Sequence, residues 1–401
     1  TYGGMVLFNE NLPEKGLVAI AALIFTMPFL ILCTIAGQIA DKVDRGVILK
    51  WIKRAELVIM VIAAVGFFIQ NTYVLAFTLF LMGAQSAFFS PTKNAVLPQW
   101  LDDRDLITGN GLMSGFQFFF ILMGMVIGIK VVLMPFHGHA FLTGERTIAL
   151  VLLVFGILGW LAAERVPEAP APKPDLKIDY NPLTSIWNVM VTAWEHQSVF
   201  RPMLGIAWFY GFSNVLMLVL PDYVKSVMGY SADVLIVTLV GSTLGVLVGS
   251  LLCVVLARGR EAMSLVAFGI IGVTVFIFDL YLNTSATSRV ELLGLDSFLA
   301  APQTPRFLID VIGSSVCAGL FIVPLQAMMQ RRAPNAVRAR LMSAGAVMLN
   351  LAVNVVTFGL IGLSFTAMPP ATPFLFVVIV SACVSVYAVR RAIQMRRNPV
   401  A

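Results

Sequence analysis

Apolar residues in this chain come in long unbroken runs, not at alternating or one-faced spacing. Such runs lie near 17–38, 55–70, 72–90, 105–134 and 147–163, and again near 202–224, 232–257, 262–283, 305–329, 341–367 and 372–395. One helix needs roughly 20 apolar residues to cross bilayer hydrocarbon, because each residue advances about 1.5 Å through a core about 30 Å thick. Eleven runs joined by short charged or Pro/Gly-rich loops therefore predict an all-α, polytopic membrane protein. The opening residues, Thr1 to Phe8, read as the last turns of a further helix that begins upstream. Counting it gives twelve spans, six on each side of a central break.

That break is polar and proline-rich, AERVPEAPAPKPDLKIDYNP from Ala163 to Pro182. Such a stretch cannot cross hydrocarbon and must join two bundles outside the membrane. It divides the chain into an N-terminal bundle at 1–165 with its first helix incomplete, a cytoplasmic linker at 166–198 and a C-terminal bundle at 199–401. Within the linker, Ile186, Trp187, Met190, Val191 and Trp194 recur at helical spacing and predict a short amphipathic helix at the membrane interface. The halves echo each other: Leu32-Cys33 precedes a basic loop at 41–54 as Leu252-Cys253 precedes Arg258-Gly259-Arg260, and Leu112-Met113-Ser114 returns as Leu341-Met342-Ser343. The order agrees with parallel repeats.

Composition narrows the class further. The chain is 59% hydrophobic and 12% charged, far more apolar than a soluble fold of 401 residues requires. Its net charge of +6 does not point to nucleic acid, because 21 of the 27 Lys and Arg residues fall in alternate loops around 41–54, 93–104, 165–201, 258–260, 331–340 and the C-terminal tail. By the positive-inside rule these loops and the C-terminus face the cytoplasm. Cys33, Cys253, Cys317 and Cys383 lie in apolar runs without metal or disulfide spacing, and His137 and His139 read as a surface loop, so neither metal nor cofactor is expected. Nothing in the sequence offers a nucleophile or a phosphate-cradling glycine loop, so no enzymatic role is expected.

Polar residues inside the spans carry the candidate chemistry, since an ionisable or amide group in hydrocarbon needs a partner or a water-filled path. Ser86, Ser90 and Lys93 share a helical face at i, i+4 and i+7, beside Pro91, which is expected to kink or break its helix. Asn110, Ser114 and Gln117 form a second stripe, and Ser343, Asn350, Asn354 and Thr357 a third; Asn214 and Gln326 stand singly on apolar runs. Each amide either binds substrate or ties helices together. Glu56, Asp222, Asp279 and Asp310 are placed near helix ends, leaving no acid at mid-span.

Two strings resemble known families. Gly37-Gln38-Ile39-Ala40-Asp41-Lys42-Val43-Asp44-Arg45-Gly46 resembles the major facilitator loop signature, which implies two six-helix bundles related by a pseudo-two-fold axis. It also implies a conformational role for Gly37, Asp41 and Arg45, to which the candidate hinge Pro91 is added. The run from Phe88 to Pro98, with Asn110-Gly111-Leu112-Met113 and Phe321 to Arg331, resembles the LplT-type lysophospholipid transporters. That resemblance implies movement of lysophosphatidylethanolamine and related lysolipids from the outer to the inner leaflet of the bacterial inner membrane. It implies an acyltransferase/acyl-ACP synthetase partner, separate or fused beyond Ala401, and action as a monomer among membrane lipids. It makes Lys93 the cavity lysine that meets the phosphate; Ser90, Asn110 and Asn350 are candidates for the rest of the headgroup, and Gln117, Asn214, Gln326 and Asn354 join them as substrate candidates on their in-span polarity alone. The family's first-helix acid lies upstream of Thr1, and its seventh-helix arginine has no counterpart in Ser213 to Leu218. Two other readings stand beside this one: a proton-coupled exporter of hydrophobic drugs on the same fold, and a membrane anchor that delivers substrate to a fused acyltransferase.

Overall fold

The computed structural model describes residues 14–133, 144–257, 262–283, 292–364 and 371–397. The opening stub, the His137–His139 loop, the basic loop at 258–260 and the last four residues lie outside the described residues. Eleven long helices occupy the eleven apolar runs: α1 Glu14–Lys42, α2 Arg45–Phe68, α3 Thr72–Trp100, α4 Leu106–Leu133, α5 Gly144–Glu164, then α7 Gln197–Asp222, α8 Ala232–Ala257, α9 Met263–Leu282, α11 Thr304–Arg332, α12 Arg338–Ser364 and α13 Thr372–Arg397. The short helices α6 Pro182–Glu195 and α10 Leu295–Ala300, a π-helical turn at Tyr223–Val227 and a 3-10 turn at Asn335–Val337 lie between them. Among the described residues no strand forms; a lone bridge joins Tyr230 and Leu293.

Ten of these helices are long and apolar enough to cross a membrane, and α2 is the exception. The reason is local. Its first turns carry Arg45, Lys50, Lys53, Arg54 and Glu56, so the apolar part alone is too short to qualify. The basic segment at 41–54, expected as a loop, is helical on both sides of a break at Val43–Asp44. Asp44 caps α2 by accepting a hydrogen bond from the Val47 amide at 3.0 Å. Because α2 starts ten residues earlier than its apolar run, Glu56 sits at mid-helix and not near an end.

Likewise α3 does not stop near residue 90. It continues as one helix through Pro91 and Pro98 to Trp100, so the break considered at Pro91 does not occur. Pro91 is buried, and the helix beyond it is held by packing of Ala95, Val96 and Leu97.

The chain folds into two compact units. Among the described residues, the first holds those up to Trp100, those from Gly124 to Gln197, and Ala333–Asn350; the second holds Leu101–Met123, Ser198–Arg332 and the residues from Leu351 onward. Thus the start of α4 belongs with the second unit and the start of α12 with the first. In the first unit α1 packs along α3, and α2 packs between α3 and α5. In the second, α11 packs against both α8 and α9, and α9 against α13.

The linker is fastened to the first unit. Arg45 N–H donates to the Ala169 carbonyl at 2.9 Å, Ala169 N–H donates to Asp44 Oδ2 at 3.1 Å, and Lys173 N–H donates to the Asp41 carbonyl at 2.9 Å. Gln38 donates to Ser185 Oγ at 2.7 Å and accepts from Asp179 N–H at 2.8 Å. Pro-rich backbone cannot join a regular ladder, so its amides and carbonyls are satisfied at this corner. α6 starts at the Asn181 cap with proline in its first turn. It buries Ser185, Val189 and Ala193 and exposes Leu183, Trp187, Val191 and Trp194, an outward apolar stripe at helical spacing.

Helices approach most closely where glycine removes the side chain. On α8 a Cβ at Gly249 would lie 2.0 Å from the Val316 carbonyl oxygen, and on α11 a Cβ at Gly319 would lie 2.6 Å from the Val246 carbonyl oxygen. Small residues at such crossings are what bring membrane helices into van der Waals contact. Gly249→Val should destabilise the detergent-purified protein by about 1–3 kcal/mol through overpacking. Gly359→Val, where a Cβ meets nothing within 4 Å, serves as the matched control. Equal thermal unfolding midpoints for the two variants would contradict this account of the α8–α11 crossing.

Candidate functional site

The signature string builds a buried junction between α1, α2 and the start of α12. Asp41 Oδ1 accepts from Arg45 at 2.9 Å and from the Ala339 amide at 3.0 Å. Its Oδ2 accepts from the Arg340 amide and the Arg340 guanidinium, both at 3.3 Å. Both side chains of the Asp41–Arg45 pair are fully buried, at 0% exposure. Arg45 also donates to the carbonyls of Ala40 at 3.0 Å and Ala95 at 3.1 Å, so its guanidinium is satisfied from α1 and α3 together. Asp41 therefore stands at the N-terminal end of α12, where unpaired amides and the helix dipole favour a negative charge. One turn earlier, a Cβ on Gly37 would come within 2.6 Å of Ser343 Oγ, so glycine is what lets α1 and α12 touch. Cys33, two turns before Asp41, faces the Ser343 carbonyl at 3.7 Å.

A second cluster lies on α2 and α3. The Lys93 ammonium sits 5.6 Å from the centroid of the Phe89 ring, and the Lys53 ammonium 5.3 Å from the same ring. Lys53 pairs with Glu56 at 2.8 Å, and Gln85 donates to the same carboxylate at 2.8 Å. Half-buried Ser86 and Ser90 flank this ring along α3. Lys93 and Lys53 thus approach the same aromatic ring, with Lys53 held by Glu56. Lys93 and Ser90 belong to the sequence candidates; Lys53, Glu56, Gln85 and Phe89 were missed. The signal for them was available: Lys53 and Glu56 are i, i+3, and Gln85 and Phe89 i, i+4, once α2 is read as starting at Arg45.

The amide candidates are placed otherwise. In the second unit Asn110 and Gln330 form a reciprocal pair, with Asn110 Nδ2 donating to Gln330 Oε1 at 2.6 Å and Gln330 Nε2 donating to Asn110 Oδ1 at 3.0 Å. Both are almost wholly buried. Ser114 donates to Gln326 at 2.9 Å, one turn further along both helices. Gln117 hydrogen-bonds the Tyr210 hydroxyl. Asn214 on α7 donates to Thr357 Oγ1 on α12 at 2.8 Å. These groups tie α4 to α11 and α7 to α12. Asn350, at the end of the first unit, donates to the Ala346 carbonyl of its own helix at 2.9 Å, and Asn354 lies one turn on, in the second unit.

Known proteins with this pattern are consistent in kind. The model of the Major Facilitator Superfamily matches residues 5–294. The lysophospholipid transporter LplT of Serratia proteamaculans is 26% identical over 344 residues, covering 84% of this chain and 77% of the relative. The protein of the same name from an Enterobacter species is 26% identical over 357 residues, 88% of this chain and 80% of the relative. Among solved structures, a bacterial homologue of the iron transporter ferroportin in its outward-facing state superimposes with a TM-score of 0.69 at 14% identity, over 99% of this chain and 94% of that one. The transporter FucP in its outward conformation gives 0.69 at 12% identity, over 97% and 92%. At such identities the structures speak for the fold alone.

The junction at Asp41 makes a direct expectation. Asp41→Asn strands the buried Arg45 charge and should lower stability by about 3–5 kcal/mol, whereas adding Arg45→Met to it should recover part of the loss. Thermal unfolding of the three proteins measures both effects. A single variant that melts with the parent would show that the pair carries no stability.

Proposed function

This chain belongs to the major facilitator superfamily, and on that premise we propose that it is a lysophospholipid transporter that moves lysophosphatidylethanolamine and related lysolipids from the outer to the inner leaflet of a bacterial inner membrane. The observation that carries the reading is the pair of ammonium groups, Lys93 and Lys53, gathered at the Phe89 ring within the α2–α3 pair. A lysolipid presents a phosphate that needs cations, polar head atoms that need hydroxyls or amides, and one acyl chain at home in apolar surroundings. Lys93 holds the phosphate in this proposal, and Ser90 the neighbouring head atoms. The named relatives, both called lysophospholipid transporters, support the same substrate class.

Transport proceeds by alternating access of two six-helix bundles, 1–165 and 199–401, joined by the linker at 166–198. Gly37, Asp41 and Arg45 latch one of the alternating states, because their contacts form or break as a set. The C-terminus lies in the cytoplasm, and the translocated lysolipid is reacylated by an acyltransferase/acyl-ACP synthetase, separate or fused. Glu56 is the acid at mid-helix, yet its carboxylate is engaged by Lys53 and Gln85, an arrangement that suits a structural counter-charge better than a proton carrier.

Two measurements test the proposal in reconstituted vesicles carrying a fluorescent lysophosphatidylethanolamine. Lys93→Ala should reduce translocation about ten-fold or more, the loss of one charge-assisted contact in a desolvated site, and Lys93→Arg should retain part of it. Unchanged transport by Lys93→Ala removes Lys93 from the mechanism. Dissipating the proton gradient should leave the parent rate unaltered, and a collapse would favour a proton-coupled exporter.

A further inference from the structure

Within the second unit, where the N-terminal ends of α7 and α9 meet the C-terminal ends of α11 and α13, a cavity of about 350 Å³ opens among these four helices. Three guanidinium groups, Arg201, Arg332 and Arg391, line it, one each from α7, α11 and α13. Among the described residues no acidic side chain lines it. Inward from these arginines the walls become apolar. Trp208 meets Phe321 edge to face at 5.3 Å between centroids and makes a rigid floor. From Arg332 to Phe321 along α11 is about 16 Å, and from Arg391 to Cys383 along α13 about 12 Å, taking 1.5 Å per residue.

The cavity is open at its flank. Leu204 and Tyr387, which line it, are 50% and 46% exposed, and Cys383 is exposed as well. These residues lie on helices long and apolar enough to cross a membrane. The arginines lie near helix ends: Arg201 in the second turn of α7, Arg332 the last residue of α11, Arg391 two turns before the end of α13. Helix dipoles do not settle the sign, because two N-termini and two C-termini meet there. The guanidiniums do.

From these observations we propose that this cavity holds an anionic membrane phospholipid, its phosphate on Arg201, Arg332 and Arg391 and one acyl chain in the slot that ends at Trp208 and Phe321. Planar guanidiniums suit phosphate by paired hydrogen bonds, and basic groups at a membrane surface attract anionic headgroups. The occupant enters sideways from the leaflet and has no part in the Lys93 cluster, so the proposal stands apart from the transport reading. It is a resident lipid that fills the second unit at the ends of four helices.

Cys383 supplies the probe, since Cys33, Cys253 and Cys317 are buried. The full chain is placed in nanodiscs of phosphatidylcholine, with or without phosphatidylglycerol, and labelling of Cys383 by a small neutral maleimide is followed by peptide mass mapping. Phosphatidylglycerol should slow labelling by about five-fold or more, as occupancy of a protecting ligand requires. Arg332→Gln with Arg391→Gln should abolish that protection while leaving the rate in pure phosphatidylcholine unchanged. Inorganic phosphate added to phosphatidylcholine discs should not protect. Equal rates in the two lipids, protection that survives the double substitution, or protection by inorganic phosphate alone would each overturn the assignment. Transport by the double variant is not the readout, so failure here leaves the lysolipid proposal untouched.

Discussion

A carboxylate removed from water must find as many hydrogen bonds and as much opposite charge as water would have given it. Asp41 meets that demand by drawing three helices to one point. Its side chain takes the Arg45 guanidinium from the start of α2 and two backbone amides from the start of α12, while its own carbonyl takes the Lys173 amide from the linker. Without it Arg45 would keep only the Ala40 and Ala95 carbonyls, and the two α12 amides would lose this acceptor. The Gly37 approach to Ser343 and the strapping of Ala169 to the α1–α2 corner both depend on α1 lying where this demand puts it.

The second unit reaches an equivalent close approach without charge. There the start of α4 meets the end of α8, as the start of α12 meets the end of α1 in the first unit: a Cβ on Gly111 would lie 2.4 Å from Val254 and 3.2 Å from the Ser250 carbonyl. Cys253 is buried at the α8 end as Cys33 is at the α1 end. In place of an ion pair, the reciprocal Asn110–Gln330 amides fix the α4–α11 contact beside it. The repeat that shows in the sequence only as Leu-Cys and Leu-Met-Ser pairs is thus a repeat of helix junctions. It is weak in sequence because two different polar chemistries satisfy the same geometric need.

The same constraint decides which parts of the molecule were legible from the chain alone. Hydropathy reports contact with lipid, so all eleven apolar runs were visible, and each contains a helix. Helix length was not visible where a helix outruns the hydrocarbon. The basic turns of α2 and the stretch from Pro91 to Trp100 of α3 read as loops because charge and proline mark the membrane boundary, not the end of hydrogen bonding. That one misreading hid Lys53 and Glu56 from the Lys93 cluster. The signature residues Gly37, Asp41 and Arg45 were legible because their spacing is local. The partners of Asn110, Ser114 and Asn214 were not, since Gln330, Gln326 and Thr357 lie on helices remote in sequence, and one sequence carries no record of which faces meet.

The division of labour among the polar residues follows from the same reasoning. An amide can satisfy another amide completely, donor to acceptor and back, and Asn110 with Gln330 does so with both groups buried. Such a pair has little left to offer a headgroup, and opening it to bind one would strand two polar groups for every new hydrogen bond made. An ammonium at an aromatic ring is different, because the ring attracts its charge without neutralising it. If the chain handles a phosphate-bearing amphiphile as proposed, Lys93 at Phe89 is therefore the group to recognise it, while Lys53 is held by Glu56. The amides that looked equally suited in the sequence then serve to hold in place the helices along which such a molecule would pass.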